Sequence, residues 1–266
     1  SKNQGAGGGI IIQTFLDVAT GDYFKSMCAD DIMKPDCLEA LLNFLEKNKD
    51  FGGVFGNMDF INEEGNSLNQ NWYDYKKVDL NINLLKAMIE GQSILPYPAA
   101  LVRMEAMRNI EANKVMYGMV DMSLWAQILC NDVKIKMLHQ SICDYRIHPE
   151  QLSSSSKMQK ILRMSNFEVI IYSEYFFTMS LKTLKKNLPD ITFVKETQQE
   201  KFKDFILAYY LINQKVKQRI IAGMLKMQKI LQNEDLRLAI EDEFGYAITD
   251  LRDFYSSTEI FSTSNL

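Results

Sequence analysis

A short apolar run, Tyr23 to Cys28, stops abruptly at two adjacent acids, Asp30 and Asp31, and Pro35 then opens an amphipathic segment. No other stretch limits so tightly what the chain can fold into. A strand that ends at paired carboxylates places them at the carboxyl edge of a sheet, where open α/β folds bind ligands. Two such charges repel each other unless a cation sits between them and a further anion. A hard divalent metal holding phosphates meets that need. The plainer alternative is that both acids cap the helix starting at Pro35, since acids favour helix N-termini. On the pair alone, both readings stand.

The neighbouring residues decide between them. Upstream, Lys2-Asn3-Gln4-Gly5 leads through a Gly-rich turn to Gly9, and a helix is expected from Ile10 to Ala19. Ile11, Phe15 and Val18 recur there at helical spacing, and Thr20-Gly21 supplies the stop. The whole run Asn3-x-Gly5, Ala19-x-Gly21-Asp22-Tyr23, Ala29-Asp30-Asp31, Pro35 and Leu38-Glu39 resembles the centre of family 2 glycosyltransferases with the GT-A fold. The order continues downstream. Gly52-Gly53-Val54-Phe55-Gly56 with Asp59 and Glu64-Gly65 looks like the next strand and its turn. Leu95 to Val102, running into Arg103 and Glu105, looks like an acceptor-side strand. Asp121-Met122-Ser123-Leu124-Trp125 is similar to the segment that carries the family's base, and Tyr145-Arg146-Ile147-His148-Pro149 to the one that closes the pyrophosphate site.

The resemblance implies an α/β fold: a GT-A-type, Rossmann-like mixed sheet over residues 1–156, followed by a helical region over 157–266. It further implies that Asp31 ligates Mg²⁺ or Mn²⁺ on the diphosphate of a nucleotide sugar, with Asp30 beside it on the ribose or sugar. Asp121 becomes the general base that takes the proton of an acceptor hydroxyl, so that direct attack inverts the anomeric centre. Arg146 pairs with a phosphate oxygen, and His148 adds a second metal-ligating or nucleotide-side contact. Tyr97 and Trp125 can face sugar, although Trp125 fits a core position as well. The implied acceptor is a glycan, a lipid-linked sugar or a protein, in glycan or surface polysaccharide synthesis.

Three departures bear on activity. Cys28 stands where the first acid of an Asp-x-Asp motif is usual, and Val120 replaces the Glu that commonly precedes the base. The chain also opens at Asn3-Gln4-Gly5, past the strands that in this family hold the nucleotide base, so an N-terminally incomplete sheet is expected. A binding or assembly protein on a degenerate transferase fold is therefore the second reading, and a nucleotidyltransferase a third. Each residue also has a structural explanation. Asp121 can cap a helix from Met122, His139 fits an alternating strand, and His148 fits a turn.

Composition fits a reduced, cytoplasmic enzyme, at most resting on the inner face of a membrane. The chain has 266 residues, 47% of them hydrophobic, which is enough for a sizeable core. A net charge of −4 argues against a nucleic-acid partner. Cys28, Cys37, Cys130 and Cys143 lack metal-type spacing and read as free thiols. After the Ser153–Ser156 break, apolar stripes such as Ile161, Met164, Phe167 and Ile171 predict helices almost to the end. Lysines along that region, with Arg219, read as a solvated face, with peripheral membrane contact as the alternative. The long helical tail makes a homodimer reasonable.

Overall fold

The computed structural model describes residues 8–74, 79–149, 151, 155–258 and 260, with side chains at 155–162 left aside. The Asn3-x-Gly5 segment therefore lies outside the described residues. The first part runs α1 (Gly8–Val18), β1 (Tyr23–Lys25), β2 (Ile32–Met33), α2 (Cys37–Lys47), β3 (Phe51–Ile61) and β4 (Ser67–Asn71). It continues with α3 (Leu84–Ile89), β5 (Ala100–Arg103), α4 (Met104–Met107), α5 (Val120–Cys130) and β6 (Lys134–Arg146). Helices follow: α6 (Ser155–Ser173), α7 (Leu181–Asn187), α8 (Lys203–Ile212), α9 (Lys217–Leu231), α10 (Glu234–Phe244) and α11 (Ile248–Ser257). This is an α/β, GT-A-like fold with a helical C-terminal region.

The six-stranded sheet has the order β1-β5-β3-β6-β2, with β4 on β3. β3 and β6 run parallel, and the other pairs are antiparallel. The alternation of β3 explains the layering. Val54 and Met58 face α2, whose Cys37, Leu41 and Leu45 recur at every fourth position. Phe55 faces the other way, into the main core, where it meets Trp125 edge-on at 4.9 Å between ring centroids. That main core is continuous with the helical region through Tyr172, Phe176, Phe205 and Leu207. Trp125 is wholly buried, so the core explanation holds for it and the sugar-facing one does not. Trp125→Ala should therefore destabilise the fold by about 3–5 kcal/mol in urea denaturation, as large-to-small changes in cores do. A loss below about 1 kcal/mol would mean that the site collapses freely around the missing ring.

Several boundaries differ from the sequence expectation for identifiable reasons. Helix α1 starts at Gly8, before Ile10, because Gly9 packs on the Asn113 carbonyl, where a Cβ would come within 1.9 Å. Strand β5 begins only at Ala100, since Pro96 and Pro98 turn the preceding residues into a 3₁₀ segment. The strand expected to reach His139 runs on to Arg146, paired with β3 through the end. On α6 the apolar stripe is not the buried one: Phe167 is 73% and Ile171 45% exposed, whereas Ser165, Glu168, Tyr172 and Ser173 face inward.

Arg219 is a further departure. It is fully buried, donating to Tyr172 Oη, Ser173 Oγ and, at 2.9 Å, the Met88 carbonyl. Its guanidinium lies 4.5 Å from the centroid of the Tyr172 ring and 4.8 Å from that of Phe176. A planar, weakly hydrated cation tolerates such a place where a lysine would not. Among the other basic residues, Lys203 and Lys226 pair with Asp204, and Lys186 with Asp132. No helix among the described residues is long and apolar enough to cross a membrane.

Candidate active site

Residues 28–31 form the link between β1 and β2, beside the carboxyl ends of the parallel strands β3 and β6. Strand β2 holds this link in place by pairing Ile32 with Asp144 and Met33 with Cys143. The main brace is Arg146, the last residue of β6. Its amide donates to Asp31 Oδ1 at 3.0 Å and its Nε to the Asp30 carbonyl at 2.9 Å. Its Nη1 reaches the carbonyls of Asn62 at 3.1 Å and Glu63 at 2.7 Å, in the turn where Gly65 takes a φ of +91°. His148 Nε2 lies 3.1 Å from Asp30 Oδ2, and its amide donates to Gln151 Oε1 at 3.0 Å.

One ligand atom each from Cys28, Asp30 and Asp31 falls within 4.8 Å of the others. Asp31 Oδ2 is buried and among the described residues has no partner of ordinary hydrogen-bond geometry, although the Cys28 thiol bears on the same carboxyl. A carboxylate oxygen in that position is costly unless something positive meets it. Burial and the neighbouring Asp30 charge raise the Asp31 carboxyl above its ordinary range, against the pull of the Arg146 amide. Oxygen-rich and anionic, the Asp30–Asp31 pair fits a hard divalent cation, whereas the Cys28 thiol beside it, held protonated, is no ligand for one. His148 meets this group through Asp30.

Asp121 belongs to a separate element, α5. It is the second residue of α5, so the helix begins before it and it does not serve as the cap; Met119 holds that position. Its Oδ1 accepts from the Met122 amide at 2.8 Å. Burial nonetheless pushes its carboxyl up to about 6. Cys28 lies with Asp30 and Asp31 and also feels the Asp121 charge. Its thiol is pushed up to about 12 by burial first, then by the charges of Asp31 and Asp30, and in smaller part by Asp121. Tyr97 borders the same space: burial, with Cys28 and Asp121 nearby, pushes its phenol up to about 12. Asp30, Asp31, Arg146 and His148 are thus joined by direct contacts, and the Asp121 charge is near enough to act on the Cys28 thiol.

Residues 1–110 match the family described as "Glycosyl transferase family 2". This region is similar to family 2 glycosyltransferases over a little more than two fifths of the chain. An uncharacterized glycosyltransferase of Methanocaldococcus jannaschii is 24% identical over 147 residues, which are 55% of this chain and 49% of that protein. The chain thus spans about half the length of this relative. Asp30 and Asp31 fall inside the family match, whereas Asp121, Arg146 and His148 lie beyond residue 110.

Sequence reasoning missed Glu168, which is 6% exposed and accepts from three successive amides of the segment leading into α5. The available signal was a lone acid sharing a helix face with Ser165 and Tyr172. Next to the apolar stripe of Phe167 and Ile171, that face reads as the solvated one.

Proposed function

We propose that the protein transfers a sugar from a nucleotide-diphosphate donor to an acceptor hydroxyl, with divalent-metal assistance and inversion. The observation that supports this is the buried Asp31 Oδ2, without a partner of ordinary geometry among the described residues, beside Asp30 and Cys28; an Asp121 carboxyl raised to about 6 suits the base. Asp31 would anchor the cation with Asp30, and His148 orients Asp30 or joins as a ligand. When bound there, Mg²⁺ or Mn²⁺ supplies positive charge to the departing diphosphate. Arg146 holds the acidic turn in register, its Nε and Nη1 committed to backbone carbonyls, and its positive charge favours phosphates nearby. Asp121, ionised at neutral pH yet basic enough to hold a proton, accepts the hydroxyl proton as the acceptor oxygen attacks the anomeric carbon. The bond from that carbon to the phosphate oxygen breaks on the opposite face, and the nucleoside diphosphate leaves with its electron pair. Tyr97 lines the space between.

On this reading residues 1–156 are the catalytic region and 157–266 its helical support. The acceptor is a glycan, a lipid-linked sugar or a protein, met in the cytoplasm or at the inner face of the membrane. Calorimetry with a panel of nucleoside diphosphates tests the reading. Binding by at least one of them that requires Mn²⁺ or Mg²⁺ is expected. A well-folded chain that binds none in either condition would overturn the transferase reading and favour a binding or assembly role.

A further inference from the structure

Glu168 belongs to α6, in the helical region, yet its carboxylate closes on the entrance to α5. Oε1 accepts from the Tyr117 amide at 2.6 Å, and Oε2 from the Gly118 and Met119 amides at 2.8 and 2.7 Å. Met119 caps α5, and Asp121 is its second residue. Three consecutive amides converging on one buried anion form a nest, and the positive end of α5 favours the same charge. We propose that Glu168 is a positioning residue for Asp121: it fixes residues 117–119, hence the first turn of α5 on which that base is carried. The inference rests on the assignment of Asp121 as base.

The argument is one of satisfaction. Without the carboxylate, the amides of half-buried Tyr117 and Met119 and of exposed Gly118 lose their shared acceptor, which is costly wherever water cannot replace it. The segment then relaxes toward other partners and takes the first helical turn with it. Glutamine cannot substitute, because its amide N–H would face one of the backbone N–H groups. Aspartate keeps the charge but is one methylene short.

The test compares Glu168→Gln and Glu168→Asp with Asp121→Asn, following turnover against pH, Mn²⁺-dependent nucleoside diphosphate binding and amide hydrogen exchange. For Glu168→Gln we expect donor affinity and KM close to wild type and kcat lower by about 10- to 100-fold, the range that a misplacement of about 1 Å produces. Amides 117–119 should exchange faster, and the acid limb of the rate profile should move below pH 6. Cys28, Tyr97 and Tyr172 also surround Asp121, but their pKa values are raised far above that limb. Glu168→Asp should fall between Glu168→Gln and wild type, and it carries the test by the same measures if the glutamine variant does not fold. Wild-type kcat and an unmoved limb in the folded variant, with Asp121→Asn inactive, would overturn the positioning role alone. Retained turnover in Asp121→Asn would instead overturn the base assignment and this inference with it.

Discussion

Asp121→Asn is expected to lower kcat by about 10³-fold, within the span that a positioned general base contributes, while donor binding stays intact. The amide cannot take up the acceptor's proton, but it can still accept from the Met122 amide, so the first turn of α5 is kept. Wild-type kcat/KM should rise with pH through about 6, the value to which burial lifts this carboxyl. The variant should lose that limb. Stability should move the opposite way from activity. A carboxyl raised in the folded state contributes stability at pH values below its ordinary pKa near 3.8, and loses that contribution as pH climbs through about 6. At pH 7 the ionised group therefore destabilises the fold by roughly 2–3 kcal/mol. Removing the charge should recover about 1–2 kcal/mol in urea denaturation at pH 7, and nothing at pH 3. An inactive variant that is also less stable at pH 7 would point to damage, and retained turnover would remove Asp121 from the chemistry.

The acidic turn and the parallel strands beside it were legible in the sequence because each depends on near neighbours. The strand end itself was not: β1 stops at Lys25 rather than Cys28, so Asp30 and Asp31 fall in the link to a two-residue strand, Ile32–Met33, that no local pattern marks. Arg146 and His148 were legible only as a resemblance; nothing local shows that Arg146 braces carbonyls of residues 30, 62 and 63. Glu168 and Arg219 were invisible for a stronger reason. Periodicity assumes that charged faces seek water, and both residues break that rule because backbone amides in one case, and rings and hydroxyls in the other, replace the solvent. Cys28 is subtler. Its position marks a departure from an acidic motif, yet the fold keeps it beside Asp31 as a protonated thiol.

Asp31→Ala should abolish cation-dependent nucleoside diphosphate binding, weakening it by at least about 100-fold, since removing mere supporting partners of a metal site costs about 10–100-fold. The expectation follows from how Asp31 is held. One oxygen takes the Arg146 amide and the other is buried without a partner of ordinary geometry among the described residues, so the carboxylate is costly until a cation arrives. Thermal unfolding separates this from general damage. Anything that binds only the folded state stabilises it by mass action, by about 2.7 kcal/mol at a hundred times the dissociation constant. Mn²⁺ together with a nucleoside diphosphate should therefore raise the wild-type Tm and leave that of Asp31→Ala unchanged. Without cation, the two should melt within a few degrees of each other, because the variant loses one amide acceptor but also sheds a buried charge. Asp30→Asn should give a smaller loss of affinity, since its amide oxygen can still ligate. An equal Mn²⁺ response in wild type and Asp31→Ala would place the cation elsewhere, leaving the buried oxygen of Asp31 without the partner on which the proposed chemistry depends.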